Sequence, residues 1–406
     1  MGQEGGFAFR QHRIASPAAV EMTPQTAYWC DAWPAPRPDE KPSTPSDPDV
    51  RSVERRVLVT GGAGFIGASL AIGLAARHPE WRLLALDNLR RRGSELNLPR
   101  LREAAVGFLH GDVRELEDLL EVGAIDAIVE CSAEPSVMAG VDGSPDYVVQ
   151  TNLLGAYNCL ELARRTGAQL VFLSTSRVYP VAALEALDYR EAETRLELLE
   201  EQRIPGASSR GIAESFPLAG ARTLYGATKL SAELLIEEYA AAYGLQAVID
   251  RCGVVAGPWQ MGKVDQGVFT YWMLAHHFQR PLAYIGFGGT GKQVRDLLHV
   301  DDLLELIDEQ LGDPDRWAGA TVNVGGGRAC SLSLQETTAL CREITGRIID
   351  VRSAGEDRPG DIPIYISDCT HLHEMTDWRP RRSPAEILAD IHAWVVEHEA
   401  ALASAL

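Results

Sequence analysis

The chain has 406 residues, 46% hydrophobic and 23% charged, with a formal net charge of −19. This is the balance of an ordinary soluble globular protein with enough length for a large core. The negative charge argues against nucleic acid and anionic membrane surfaces as partners, so an anionic ligand would have to be held by local arginines. Seven scattered cysteines with no Cys-x-x-Cys pair, no bilayer-length apolar run and no basic-then-apolar leader predict reduced thiols in a cytoplasmic protein, with no metal framework.

Residues 1–50 carry eight prolines and no helical or strand periodicity, and read as a largely disordered extension. From residue 55 the pattern alternates. Strands are predicted at 56–60, 82–87, 107–110, 126–132, 169–175 and 246–252, and helices at 65–77, 115–121, 145–166 and 226–243. Such alternation predicts an α/β fold, a doubly wound parallel sheet with helices on both faces. The polar stretch 180–224 interrupts the rhythm and includes one charged helical segment near 192–201. Beyond residue 253, helices at 266–279, 300–311, 332–345 and 383–402 alternate with strands near 282–285, 321–324 and 348–351. This predicts a Rossmann domain over 51–255 and a smaller substrate-binding lobe over 256–406, interleaved with it.

The first strand runs into VLVTGGAGFIG, residues 57–67. Gly61, Gly64 and Gly67 make the tight strand-to-helix turn, let the backbone approach a pyrophosphate and open a helix whose N-terminus attracts phosphate. Phe65 and Ile66 lie between the last two glycines. Asp87 ends the second strand about 20 residues further on, where an acid binds a ribose diol and repels a 2′-phosphate, favouring NAD over NADP. Asn88 follows it.

Tyr225 and Lys229 form a Y-x-x-x-K pair at the start of a strong helix, on one helical face. The lysine lowers the phenol's pKa and can bond a nicotinamide ribose, so the phenol can take a proton from a sugar hydroxyl. Thr175 ends a buried strand and can hold the same hydroxyl.

The glycine turn, Asp87, Thr175 and the Tyr225–Lys229 pair occur in the order found in the extended short-chain dehydrogenase/reductase family, which the chain resembles over about residues 55–400. The resemblance implies further NAD contacts from Asp112 and Val113 after the third strand, from Ser132, and from Asn152 in the long helix. Dehydratases of that family place an Asp-Glu pair after the strand-end Thr. Here Ser176 and Arg177 stand there, which disfavours elimination of water. Longer stretches, among them AEPSVMAG (133–140), AGPWQMGKVDQGVF (256–269) and GGTGKQVRDLLHVDD (288–302), resemble a narrower group that inverts C2 of a CDP-linked dideoxyhexose with tightly held NAD. That resemblance implies Arg295 and Arg358 as diphosphate clamps and a homo-oligomer formed through the helices at 145–166 and 226–243. Glu134 is a candidate for a sugar hydroxyl or for capping the turn at Pro135. Two alternatives stay open: another nucleotide-sugar epimerase, such as one acting on a UDP-hexose at C4, and a non-catalytic NAD-binding regulator.

Overall fold

Side chains alternate across a strand, so a strand buried on both sides reads as an unbroken apolar run. In β1 (Arg56–Thr60), Val57 and Val59 enter one core and Leu58 the other, all fully buried. The computed structural model describes residues 55–405, apart from 142, 263–265 and 357–359. The extension expected over 1–50 and the diphosphate clamp expected at Arg358 therefore lie outside the described residues.

β1 pairs in parallel with β2 (Arg82–Asp87) on one side and with β4 (Ala127–Glu130) on the other, in the register Val57↔Leu83 and Val57↔Ala127. β3 (Gly107–His110) lies outside β2, and β5 (Gln169–Thr175) outside β4. The strands Ala247–Cys252 and Ala320–Val324 complete a seven-stranded sheet in the order β3-β2-β1-β4-β5 and then these two, parallel throughout. Between β3 and β4 the chain crosses back over β1. A crevice therefore opens at the carboxyl ends of β1 and β4, where doubly wound sheets take their ligands.

One face of the sheet is covered by helix α1 (Phe65–Arg77) and the helix Val300–Gly312, and the other by the helices Gly155–Thr166 and Leu224–Tyr243. A second, smaller sheet joins Val254–Ala256, Val294–His299, Ser331–Ser333 and Ile364–Tyr365. A third core packs the helices Val268–His277, Leu334–Thr345 and Pro384–Glu397 together.

The structure corrects two sequence expectations and refines a third. The strand at 321–324 belongs to the main sheet, not to the smaller lobe. Val322 and Val324 are fully buried in the same core as Val57, and the preceding helix Val300–Gly312 packs on α1. The segment near 192–201 is not helical. Tyr189–Glu191 and Leu196–Leu198 form an antiparallel hairpin whose Leu196 and Leu198 turn inward, while Arg190 and Glu197 pair across it at 2.6 Å. Period-two burial against Ile364 and Tyr365 wins there over helix propensity. The long helix expected at 145–166 runs from Asp146 to Thr166 and contains a π-helical turn at Gln150–Leu154.

Candidate active site

The crevice holds a cavity of about 340 Å³ built at the carboxyl ends of β1, β2, β4, β5 and Ala247–Cys252. Gly61, Gly64, Phe65, Ile66 and Gly67 form its floor at the mouth of α1. A Cβ on Gly67 would lie 2.2 Å from the Gly61 carbonyl oxygen, so only glycine lets the helix start this close to the turn. Asp87 and Asn88 stand at one end of the wall and Val113 beside them. The Asp87 carboxylate accepts from the backbone N–H of Ala63 at 3.1 Å and of Leu89 at 2.7 Å. Burial raises its pKa, and these N–H donors oppose the rise. Ser132 lines the wall after β4.

Thr175, Tyr225 and Lys229 face the same cavity. Thr175 ends β5, where its hydroxyl accepts from the Arg177 backbone N–H at 3.2 Å and lies near enough to the Tyr225 phenol to lower its pKa. Tyr225 sits in the first turn of the helix Leu224–Tyr243, which Thr223 caps by accepting from Gly226 N–H at 3.2 Å. Gly226 presses on the turn that follows β5: a Cβ there would lie 2.0 Å from the Arg177 carbonyl oxygen. This close approach brings Tyr225 to Thr175, and the lone glycine inside Y-x-x-x-K was the signal for it. Burial raises the Tyr225 pKa, while Lys229, Thr175 and Arg177 pull it down.

Asp112 and Asn152, expected as NAD contacts, and Glu134, expected to contact a sugar hydroxyl or to cap the turn at Pro135, are not on the cavity wall. Asp112 is bound by Arg114 at 2.6 Å and by Asn88 at 2.9 Å, and these contacts hold its carboxyl down to about 2 against the opposing effect of burial. Asn152 clasps the backbone of Glu134 through both ends of its amide, at 2.8 and 3.1 Å. The Glu134 carboxylate accepts from Ser136 N–H at 3.2 Å and so caps the turn. The π-helical turn instead brings Thr151 to the wall.

A second cavity of about 450 Å³ adjoins the first, the two sharing Val137, Arg177, Val254, Gln266 and Gly267. Arg295 lines it and donates to Asp361 at 2.9 Å, with burial lowering its pKa to about 10. Gln293, two residues earlier, lines the same cavity, as strand alternation requires. Arg177, Asp361, Arg352 and Tyr271 also line it and were not singled out as ligand contacts from sequence. They come from four separate segments, so no local spacing marks them. Arg251, the other strand-end arginine, is spoken for: it binds Glu233 at 2.7 Å away from both cavities.

A glycine turn at the switch point of a doubly wound sheet, with Thr, Tyr and Lys facing the same cavity, defines a dinucleotide-dependent enzyme of the short-chain dehydrogenase/reductase type. Residues 57–325 match the model of the NAD dependent epimerase/dehydratase family; the chain belongs to that family, and its cofactor is NAD. Among curated proteins it is 28% identical to CDP-paratose 2-epimerase of Salmonella typhi, over 84% of this chain and 98% of the relative. It is 30% identical to dTDP-glucose 4,6-dehydratase of Streptomyces antibioticus, over 85% and 93%. Among solved structures, the NAD complex of Thermus thermophilus UDP-glucose 4-epimerase superposes with a TM-score of 0.66 at 28% identity, covering 84% of this chain and 98% of that one.

Proposed function

We propose that the chain is an NAD-dependent nucleotide-sugar epimerase, acting at C2 of a CDP-linked 3,6-dideoxyhexose as CDP-paratose 2-epimerase does. The observation that carries an epimerase rather than a dehydratase is the residue pair after Thr175. Elimination of water needs an additional acid and base beside the tyrosine. Ser176 and the cavity-lining Arg177 supply no carboxyl there. The match over nearly the whole of CDP-paratose 2-epimerase, together with KQVRD (292–296) and the Asp-Gln-Gly at 265–267, supports C2 and CDP.

When bound, NAD would supply both the hydride acceptor and the hydride donor for the carbinol carbon, so no outside oxidant or reductant is needed. The protein's residues do the rest. Gly61, Gly64 and Gly67 admit the pyrophosphate, and Asp87 accepts from the adenine ribose diol. Thr175 holds the C2 hydroxyl and Tyr225 removes its proton. Lys229 orients the nicotinamide ribose and steadies the phenolate. Arg295, with Arg177 near it, holds the diphosphate while the 2-keto sugar turns over in the adjoining cavity. Exposed apolar side chains on the outer helices, Leu154, Tyr157, Leu234 and Tyr243, favour a homo-oligomer packed through them.

The test is a panel of nucleotide sugars, followed by the preferred one deuterated at the reacting carbon. The product should keep the deuterium there, and turnover in heavy water should introduce none. Solvent deuterium on that carbon would sink hydride transfer. A preference for a UDP-hexose, with inversion at C4, would move the reading to the other epimerase activity found among the structural relatives.

A further inference from the structure

We propose that Glu130 is a positioning residue for Lys229, holding its ammonium at the cavity wall and offsetting its charge as felt by Tyr225; this rests on the reading of Tyr225 and Lys229 as the proton-transfer pair. Glu130 is the last residue of β4 and is 1% exposed. It does not line the cavity. It stands behind Lys229, itself 2% exposed, with Oε2 at 3.2 Å from Nζ. Its other oxygen, Oε1, accepts from Ser132 Oγ at 2.5 Å, and Ser132 Oγ lies 3.2 Å from Thr60 Oγ1 at the end of β1. The ammonium also sits over the Phe172 ring, 4.3 Å from its centre. Side chains from β1, β4 and β5 thus act together to fix one cation.

A buried ammonium needs a partner, and a buried pair by itself is only weak evidence of function. The Arg251–Glu233 pair shows the difference. It is equally buried and bidentate, but neither member lines a cavity. In the Lys229 pair one member faces the reacting group and the other is anchored behind it through Ser132, a wall residue. The charged and titratable groups around Tyr225 are Lys229, Arg177 and the Cys252 thiol. Those around Lys229 are Glu130 and the thiols of Cys131, Cys159 and Cys252, which burial keeps protonated. Glu130 is thus the anion of this group. An unmatched ammonium would favour the phenolate too strongly, leaving a weak base. With its charge offset, the phenol remains basic enough to take a proton from a sugar alcohol.

The test needs no substrate. The NAD holoenzyme is labelled with carbon-13 at tyrosine Cζ, the Tyr225 resonance is assigned by its loss in Tyr225→Phe, and its midpoint is followed across pH. Glu130→Gln keeps the shape and removes the charge. The midpoint should fall by about one pH unit, with NAD content unchanged. In a Lys229→Met background the same substitution should do nothing, because the buried Glu130 carboxyl, deprived of its cation, takes up a proton and has no charge left to lose. An unmoved midpoint in Glu130→Gln, or an equal fall without the lysine, overturns the proposal. Should Glu130→Gln not fold, Glu130→Asp draws the carboxylate back without unpairing a charge. Its midpoint should fall by a few tenths of a pH unit, and no movement overturns the proposal. The underlying reading fails separately, if Tyr225→Phe turns over at the wild-type rate.

Discussion

The two adjoining cavities are built differently. The first takes much of its wall from strand ends and the loops that follow them in one parallel sheet, joined by the start of one helix, and many of its residues fall in short motifs: 61–67, 87–88, 225–229. The second gathers polar side chains from distant places, among them Arg177 after β5, Tyr271 on a helix, Gln293 and Arg295 at a strand, and Arg352 and Asp361 further along the chain. A cofactor common to a whole family is met by local chain geometry. A ligand peculiar to one activity is met by whichever side chains the tertiary fold brings near it.

Experiments can break or sharpen that contrast. The largest effect should come in the first cavity. Tyr225→Phe should lower kcat by about 10²–10⁴-fold while NAD stays bound, as steady-state kinetics and cofactor content will read. Next comes Gly226→Ala. Its Cβ would meet the Arg177 carbonyl, so the helix must shift and carry Tyr225 away from Thr175. A displacement of about 1 Å can cost on the order of 10²-fold in rate. Unchanged kcat there would mean that the close approach is not what positions the phenol.

Smaller effects should separate the cavities. Asp87→Ala removes hydrogen bonds to an ionised acceptor and should weaken NAD binding by about 10-fold or more, narrowing the gap to NADP. KM for the sugar at saturating NAD should barely move. Arg295→Lys should do the reverse, raising KM about 10-fold through loss of forked donor geometry, with NAD titrating as in wild type. If either variant disturbs both ligands equally, the cavities are not the separate units drawn here.

The smallest effect concerns Asp250, on the strand Ala247–Cys252, away from both cavities. Its Oδ1 accepts from Gln310 at 2.8 Å, Oδ2 has no partner among the described residues, and burial pushes its pKa up to about 7. A carboxyl whose folded pKa is raised favours folding below its unfolded value, near 3.8, and loses that contribution as pH rises toward 7. Asp250→Asn cannot ionise. Its Tm should therefore gain on wild type as pH rises from 4 to about 7 and then level off. A constant difference across that range would show that Asp250 does not titrate there.

Much of this molecule was legible without coordinates. Strands β1, β2, β3 and β5 and helix α1 have the ends predicted for them, because β1 and β5, buried on both faces, leave apolar runs, a glycine turn punctuates the first, and the edge strand β3 keeps a short apolar pair, Phe108 and Leu109. The hairpin at 189–198 was not legible, since its charged sequence suits a helix equally well until Ile364 and Tyr365 arrive to bury Leu196 and Leu198. Nor was the membership of Ala320–Val324 in the main sheet, because a strand's sequence does not name its neighbour. Local chemistry in the sequence determined the cofactor fold and the residue types near the reaction. Long-range packing alone decided that Asn152 clasps the Glu134 backbone, that Arg177 reaches both cavities, and that Glu130 stands behind Lys229. The physical reason is range: propensity, turn chemistry and helix periodicity act over a few residues, whereas a buried charge finds its partner only after the sheet has closed around it.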